Sequence, residues 1–147
     1  MERLIQQVLD QYPDKVKLVA INFPLSSHRF ARKAAQAAMA ANAQGKFWEF
    51  RRQLFENIRS LNDAKILEIA KGLELDMDKF VKSMNSRPIR DFVTRDVVHG
   101  RKIGVHGTPT IFVNGKRAKI RTPFDLFNIV DAELKAKKAK QVQSGSQ

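Results

Sequence analysis

The apolar positions of the chain follow two periodicities, and their order along the sequence predicts the elements. Leu4, Ile5, Val8, Leu9 and Tyr12 recur at helical spacing and place one stripe on a helix over residues 1–12. Pro13-Asp14 ends it, because proline disfavours helix in the residue before it. Val16–Phe23 then holds the continuous apolar run Leu18-Val19-Ala20-Ile21, the pattern of a strand covered on both faces. Pro24 closes that strand, and Ser26 and Ser27 are N-cap candidates for the next helix. From His28 to about Gln44 the chain is alanine-rich, with high helix propensity and close-packing faces, and Gly45 is its C-cap candidate. Phe47, Trp48, Phe50, Leu54 and Phe55 give a second apolar helical face, read as core. Asn62 or Asp63 caps a short helix through Lys71 that Gly72 stops. Asp76 caps another through Met84. Ser86 and Pro88 open a longer helix, Ile89 to Lys102, with Ile89, Phe92, Val93 and Val97 facing inward and Gly104 at its end.

Beyond that helix the period changes. Thr110–Val113 is β-branched and aromatic and reads as a strand. Asn114-Gly115 is a strong short hairpin signal, since both residues accept positive φ, and Lys116–Arg121 returns antiparallel. Thr122-Pro123 starts a last helix, with Phe124, Phe127, Ile129, Val130 and Leu134 as apolar positions, ending near Lys138. Residues 141–147 read as a frayed tail. No repeat or linker interrupts this order, so residues 1–140 are expected to be one domain.

Composition narrows the chemistry. The 147 residues are 43% hydrophobic and 29% charged, with no apolar run near the ~18 residues of a membrane span. The amphipathic N-terminus lacks the apolar core of a secretory signal. The formal charge is +12, densest at Lys135, Lys137, Lys138 and Lys140; a solvated basic surface explains it, and binding to nucleic acid or an acidic protein is the alternative. There is no cysteine, which excludes disulfides, zinc thiolates and thiol nucleophiles. His28, His99 and His106 are too dispersed for a short metal-ligand motif, and Glu2, Glu49, Glu56 and Glu68 spread over different helical faces. No catalytic residue, metal site or cofactor is expected.

The segment Gly104-Val105-His106-Gly107-Thr108-Pro109-Thr110-Ile111-Phe112-Val113-Asn114-Gly115 resembles the cis-proline segment of the DsbA-like thioredoxin-fold oxidoreductases. Asn22-Phe23-Pro24-Leu25 resembles the end of the strand after that family's active-site helix. His28 with the alanine-rich helix and Gln44-Gly45-Lys46-Phe47-Trp48-Glu49-Phe50 resembles its helical insertion, here about residues 26–103, and Arg121-Thr122-Pro123-Phe124 the approach to its final helix. The resemblance implies an α/β fold of the thioredoxin type. In that family a C-x-x-C pair sits at a helix N-terminus that lowers the pKa of its first thiol. The backbone before the cis-proline holds a substrate peptide in a strand-like pose. Carried over, Pro109 is that proline and Thr108 the peptide-holding residue, and neither is catalytic.

The chain departs from the family at its start: the first central strand and the C-x-x-C turn are missing from residues 1–147. The expectation is therefore a redox-inactive form, either a fragment of a longer protein or a peptide-binding or oligomerising unit. In the family that strand separates those at Val16–Phe23 and Thr110–Val113, so their exposed edges could pair in a homodimer. Family members are typically exported, but the sequence leaves this chain's compartment open.

Overall fold

A computed structural model describes residues 1–144 of the chain. They divide into two compact units, one of residues 1–20 with 109 onward, the other of residues 21–108. The insertion expected over about 26–103 lies within the second.

The first unit is built on helix α1 (Glu2–Gln11), a two-stranded antiparallel sheet of β1 (Phe112–Val113) and β2 (Lys116–Arg117), and helix α7 (Pro123–Ser144). Val8, Tyr12, Leu126 and Val130 are buried together, with Leu4, Ile5, Val16, Ile111, Val113 and Ile120 packed around them. The stripe expected on the first helix is the face that α1 turns to this core. Tyr12 carries its one polar atom inward by donating to Asp131 Oδ1 at 2.7 Å, so burial leaves no hydroxyl unpaired. The last helix outruns its expected end near Lys138 and reaches Ser144. It thus occupies the first part of the segment read as a tail; residues 145–147 lie outside the described residues.

The second unit holds α2 (Ala31–Asn42), α3 (Phe47–Glu56), a 3₁₀ turn (Ile58–Ser60), α4 (Asp63–Gly72), α5 (Met77–Met84) and α6 (Arg87–Lys102). Its core is the alanine face of α2, where Ala37, Ala40 and Ala41 are fully buried. Small side chains let neighbouring helices approach closely, and Phe50, Ile66 and Phe80 fill the space beside them. Phe50 and Phe80 meet with ring centroids 5.5 Å apart. At Gly100 a Cβ would lie 2.8 Å from the Phe23 ring, so the absence of a side chain there is what seats Phe23 against α6.

Several expected boundaries move. Ser26 and Ser27 cap nothing: His28 N–H donates to Leu25 O and Ala31 N–H to His28 O, so a turn intervenes and α2 starts at Ala31. Asn62, rather than Asp63, caps α4 by accepting from Lys65 N–H, and Asp76 caps α5 by accepting from Lys79 N–H. Phe92 is 39% exposed rather than inward, with Arg95 over its ring. On α3 only Phe50 is buried, while Trp48 and Phe55 are 44% and 45% exposed beneath Arg51. The strand expected over Val16–Phe23 joins no ladder, because no neighbouring strand lies alongside it among the described residues. The return strand expected over Lys116–Arg121 is laddered only at Lys116–Arg117, with one more bond from Ala118 N–H to Ile111 O.

Gly72 does not make the left-handed stop at the end of α4. Glu74 does, at φ 56°, with Glu74 N–H donating to Lys71 O and Leu75 N–H to Ala70 O. This is a Schellman closure that ordinarily selects glycine. Glu74→Gly is therefore expected to stabilise the protein by about 1 kcal/mol, since the strain at a side chain with positive φ exceeds the entropy glycine adds to the unfolded chain. Urea denaturation of the two proteins measures it, and a loss of stability would contradict the strain.

Candidate functional site

The segment Gly104–Thr110 leaves α6 along a defined path. Gly104, at φ +80°, donates to Arg101 O, and Val105 N–H reaches back 2.9 Å to Gly100 O. This Schellman closure satisfies the last helical carbonyls and buries Val105. His106, Thr108 and Pro109 are exposed beyond it. Thr108 makes no hydrogen bond among the described residues. Pro109 borders a shallow groove of the first unit, shared with Met1, Ile111, Arg117 and Ile120.

The hairpin that follows Pro109 is held from two directions. Asn114 and Gly115 take positive φ, 48° and 78°, as a two-residue hairpin turn requires. Glu133 of α7 then accepts from Lys116 Nζ at 2.7 Å and from Asn114 Nδ2 at 3.1 Å. These bonds, Lys116 first, hold its carboxyl below the usual glutamate range. Asp125 does the same work at the start of α7, accepting from the backbone N–H groups of Thr122 and Arg121, both at 2.7 Å. Its carboxyl is lowered too, by the Thr122 amide first. Thr122-x-x-Asp125 is a capping-box spacing, a signal present in the sequence but read there only as a Thr122 cap. Glu133 had no local signal.

The remaining sequence candidates stay apart. His99 lines a shallow depression on α6 with Arg95, Val98 and Lys102. Neither the three histidines nor the dispersed glutamates form a group of three ligands around a metal position among the described residues.

The family described as Thioredoxin matches residues 1–132. This chain belongs to the thioredoxin family. A crystal structure of a thioredoxin-like oxidoreductase from Silicibacter pomeroyi DSS-3 is similar to it, with a TM-score of 0.77 over 91% of this chain and 77% of that one, at 25% identity. The thioredoxin-like fold is thus present, in a mostly helical form with a small sheet. Curated relatives are named Na(+)/H(+) antiporters. NhaA 3 of Salinispora tropica is 37% identical over 117 residues, 79% of this chain and 18% of that protein. NhaA 1 of Mycolicibacterium vanbaalenii is 32% identical over 131 residues, 87% of this chain and 21% of that protein. The chain spans about a fifth of the length of these relatives. No helix among the described residues is long and apolar enough to cross a membrane.

The Glu133 clamp carries a pH dependence. Its carboxyl is depressed in the folded state, so its contribution is complete above the unfolded value of about 4.3. It is lost as pH falls through the lowered folded value. Glu133→Gln is expected to flatten that part of the stability–pH curve, measured by urea denaturation across the acid range; an unchanged acid limb would show that the clamp is not formed.

Proposed function

We propose that this thioredoxin-family chain is of the DsbA-like thiol:disulfide oxidoreductase lineage and that residues 1–147 hold an extended peptide without reacting with it. Thiol–disulfide exchange begins with attack by a thiolate on a disulfide sulfur. The chain contains no cysteine, so it forms no mixed disulfide and transfers no electron pair by that route. What supports peptide holding is one observation: Thr108 is exposed with its backbone groups unpaired, directly before Pro109 at the groove of the first unit. An extended peptide placed there meets a free amide and carbonyl, the chemistry of strand addition. Within the first unit, the fastened hairpin fixes the backbone that follows Pro109, which reduces the ordering that binding requires.

Two assays test this reading. Without added thiol, the protein is expected to leave insulin disulfides unreduced, and reproducible reduction would overturn the chemical part. A reduced and alkylated unfolded polypeptide is expected to bind and to slow hydrogen exchange at the Thr108 amide. Pro109→Ala is expected to weaken that binding roughly tenfold. Binding that ignores Pro109 but collapses steeply with salt would favour the basic surface instead, for which the exposed lysines Lys135, Lys137, Lys138 and Lys140 of α7 are the supporting observation.

A further inference from the structure

Helix α3 buries one side and leaves large apolar side chains on the other. Phe50 is fully buried in the core of the second unit. Trp48, Arg51, Arg52 and Phe55 follow the i, i+3, i+4, i+7 spacing of a single helical stripe, and that stripe turns away from Phe50. Ile58, 61% exposed, and Arg59 follow directly in the 3₁₀ turn. Trp48, Phe55 and Ile58 are thus exposed together on one short segment. Large apolar side chains that are grouped, rather than scattered singly, mark an interaction surface.

The charges of the same segment select the partner. Arg51 lies over both rings, its guanidinium carbon 5.8 Å from the Trp48 centroid and 4.8 Å from that of Phe55. Arg52 and Arg59 are exposed beside them. The acidic groups of the segment are Glu49, which pairs with Lys46 at 3.6 Å, and Glu56. Lys46, Arg51, Arg52 and Arg59 outnumber them. Two details favour a lipid surface over nucleic acid. Bases stack on open ring faces. Here the Arg51 guanidinium already lies over both rings, and Phe47 meets Trp48 nearly at right angles with centroids 5.0 Å apart. Ile58 offers no flat face to a base, but acyl chains accept it readily. We infer that the Trp48–Arg59 face of the second unit docks on an anionic phospholipid bilayer. Trp48, Phe55 and Ile58 enter the boundary of the acyl chains, and Arg51, Arg52 and Arg59 meet the headgroup phosphates. At ten residues α3 is too short to cross a bilayer, so it lies in the interface. The face includes neither Thr108 nor Pro109, so this inference and the peptide reading stand or fall separately.

Trp48 is the chain's single tryptophan, so its fluorescence reports on this face alone. The probe is a vesicle of phosphatidylcholine and phosphatidylglycerol in equal parts, added to the intact chain. A blue shift of the Trp48 emission is expected, with quenching by lipids brominated on their acyl chains; this arm needs no variant. Vesicles of phosphatidylcholine alone should bind at least tenfold more weakly. Arg52→Gln with Arg59→Gln is expected to weaken binding roughly tenfold or more, whereas Lys137→Gln with Lys138→Gln should change it little. Phe55→Ser with Ile58→Ser should weaken it to a similar extent, with a melting temperature close to the parent's because both side chains are exposed. Absence of the shift or of the quenching would overturn the inference, and so would equal binding to neutral vesicles. Equal weakening by the two pairs of charge variants would reduce the contact to general basic attraction and overturn it too. A shift of the same size with glycerophosphoglycerol in solution would assign the face to a free phosphate instead. A shift with a single-stranded oligonucleotide and none with vesicles would give the face to nucleic acid and overturn the bilayer.

Discussion

A backbone amide must be bonded somewhere, and helices and strands meet that demand in different ways. A helix satisfies its own interior, so each of the seven α-helices in the described residues needs a partner only at its ends. The caps at Asn62 and Asp76 and the left-handed closures at Glu74 and Gly104 supply those end partners. A strand satisfies nothing by itself. Among the described residues regular pairing is confined to Phe112–Val113 with Lys116–Arg117, continued by one bond from Ala118 N–H to Ile111 O. The mostly helical character of the protein follows from this asymmetry as much as from residue propensity.

The helices were legible in the sequence because their determinants are local. A polar cap followed by an apolar stripe lies within one or two turns, and the alanine face of α2 announces close packing by composition alone. Exposure was less legible. Trp48, Phe55 and Phe92 look like core residues in a one-dimensional pattern, but a helix that packs along a narrow stripe leaves its flanking aromatics in solvent, where Arg51 and Arg95 cover them. Strand pairing was the least legible, since the partner of Val16–Phe23 is not written in its own residues. At the candidate site, Thr108 and Pro109 stood out through a contiguous motif. Glu133 did not, because it meets Lys116 and Asn114 across 17 and 19 residues of chain.

Carboxylates are the scarcer charge in this protein, 15 against 27 basic side chains, and α7 uses three of them to position the first unit. Asp125 starts the helix, Asp131 receives the Tyr12 hydroxyl from the end of α1, and Glu133 takes the hairpin turn. They sit at different levels of one helix, so α7 sets the spacing between its own start, the end of α1 and the hairpin. The likeness to a thioredoxin-like oxidoreductase therefore persists without cysteine: the hairpin that follows Pro109 is held by oxygen acceptors.

Asp96 offers a last consequence. Its Oδ2 accepts both the backbone N–H of Asn22, at 2.9 Å, and the Asn22 side-chain amide, at 2.8 Å. One carboxylate oxygen thus grips a single residue twice, through groups that cannot slide independently. In an extended chain a slip by one position exchanges inside for outside. Anchoring Asn22 fixes the parity of the residue after it, which keeps the Phe23 ring turned toward Gly100 on the same helix as Asp96. A side chain on a helix thereby performs the registration that a neighbouring strand usually provides.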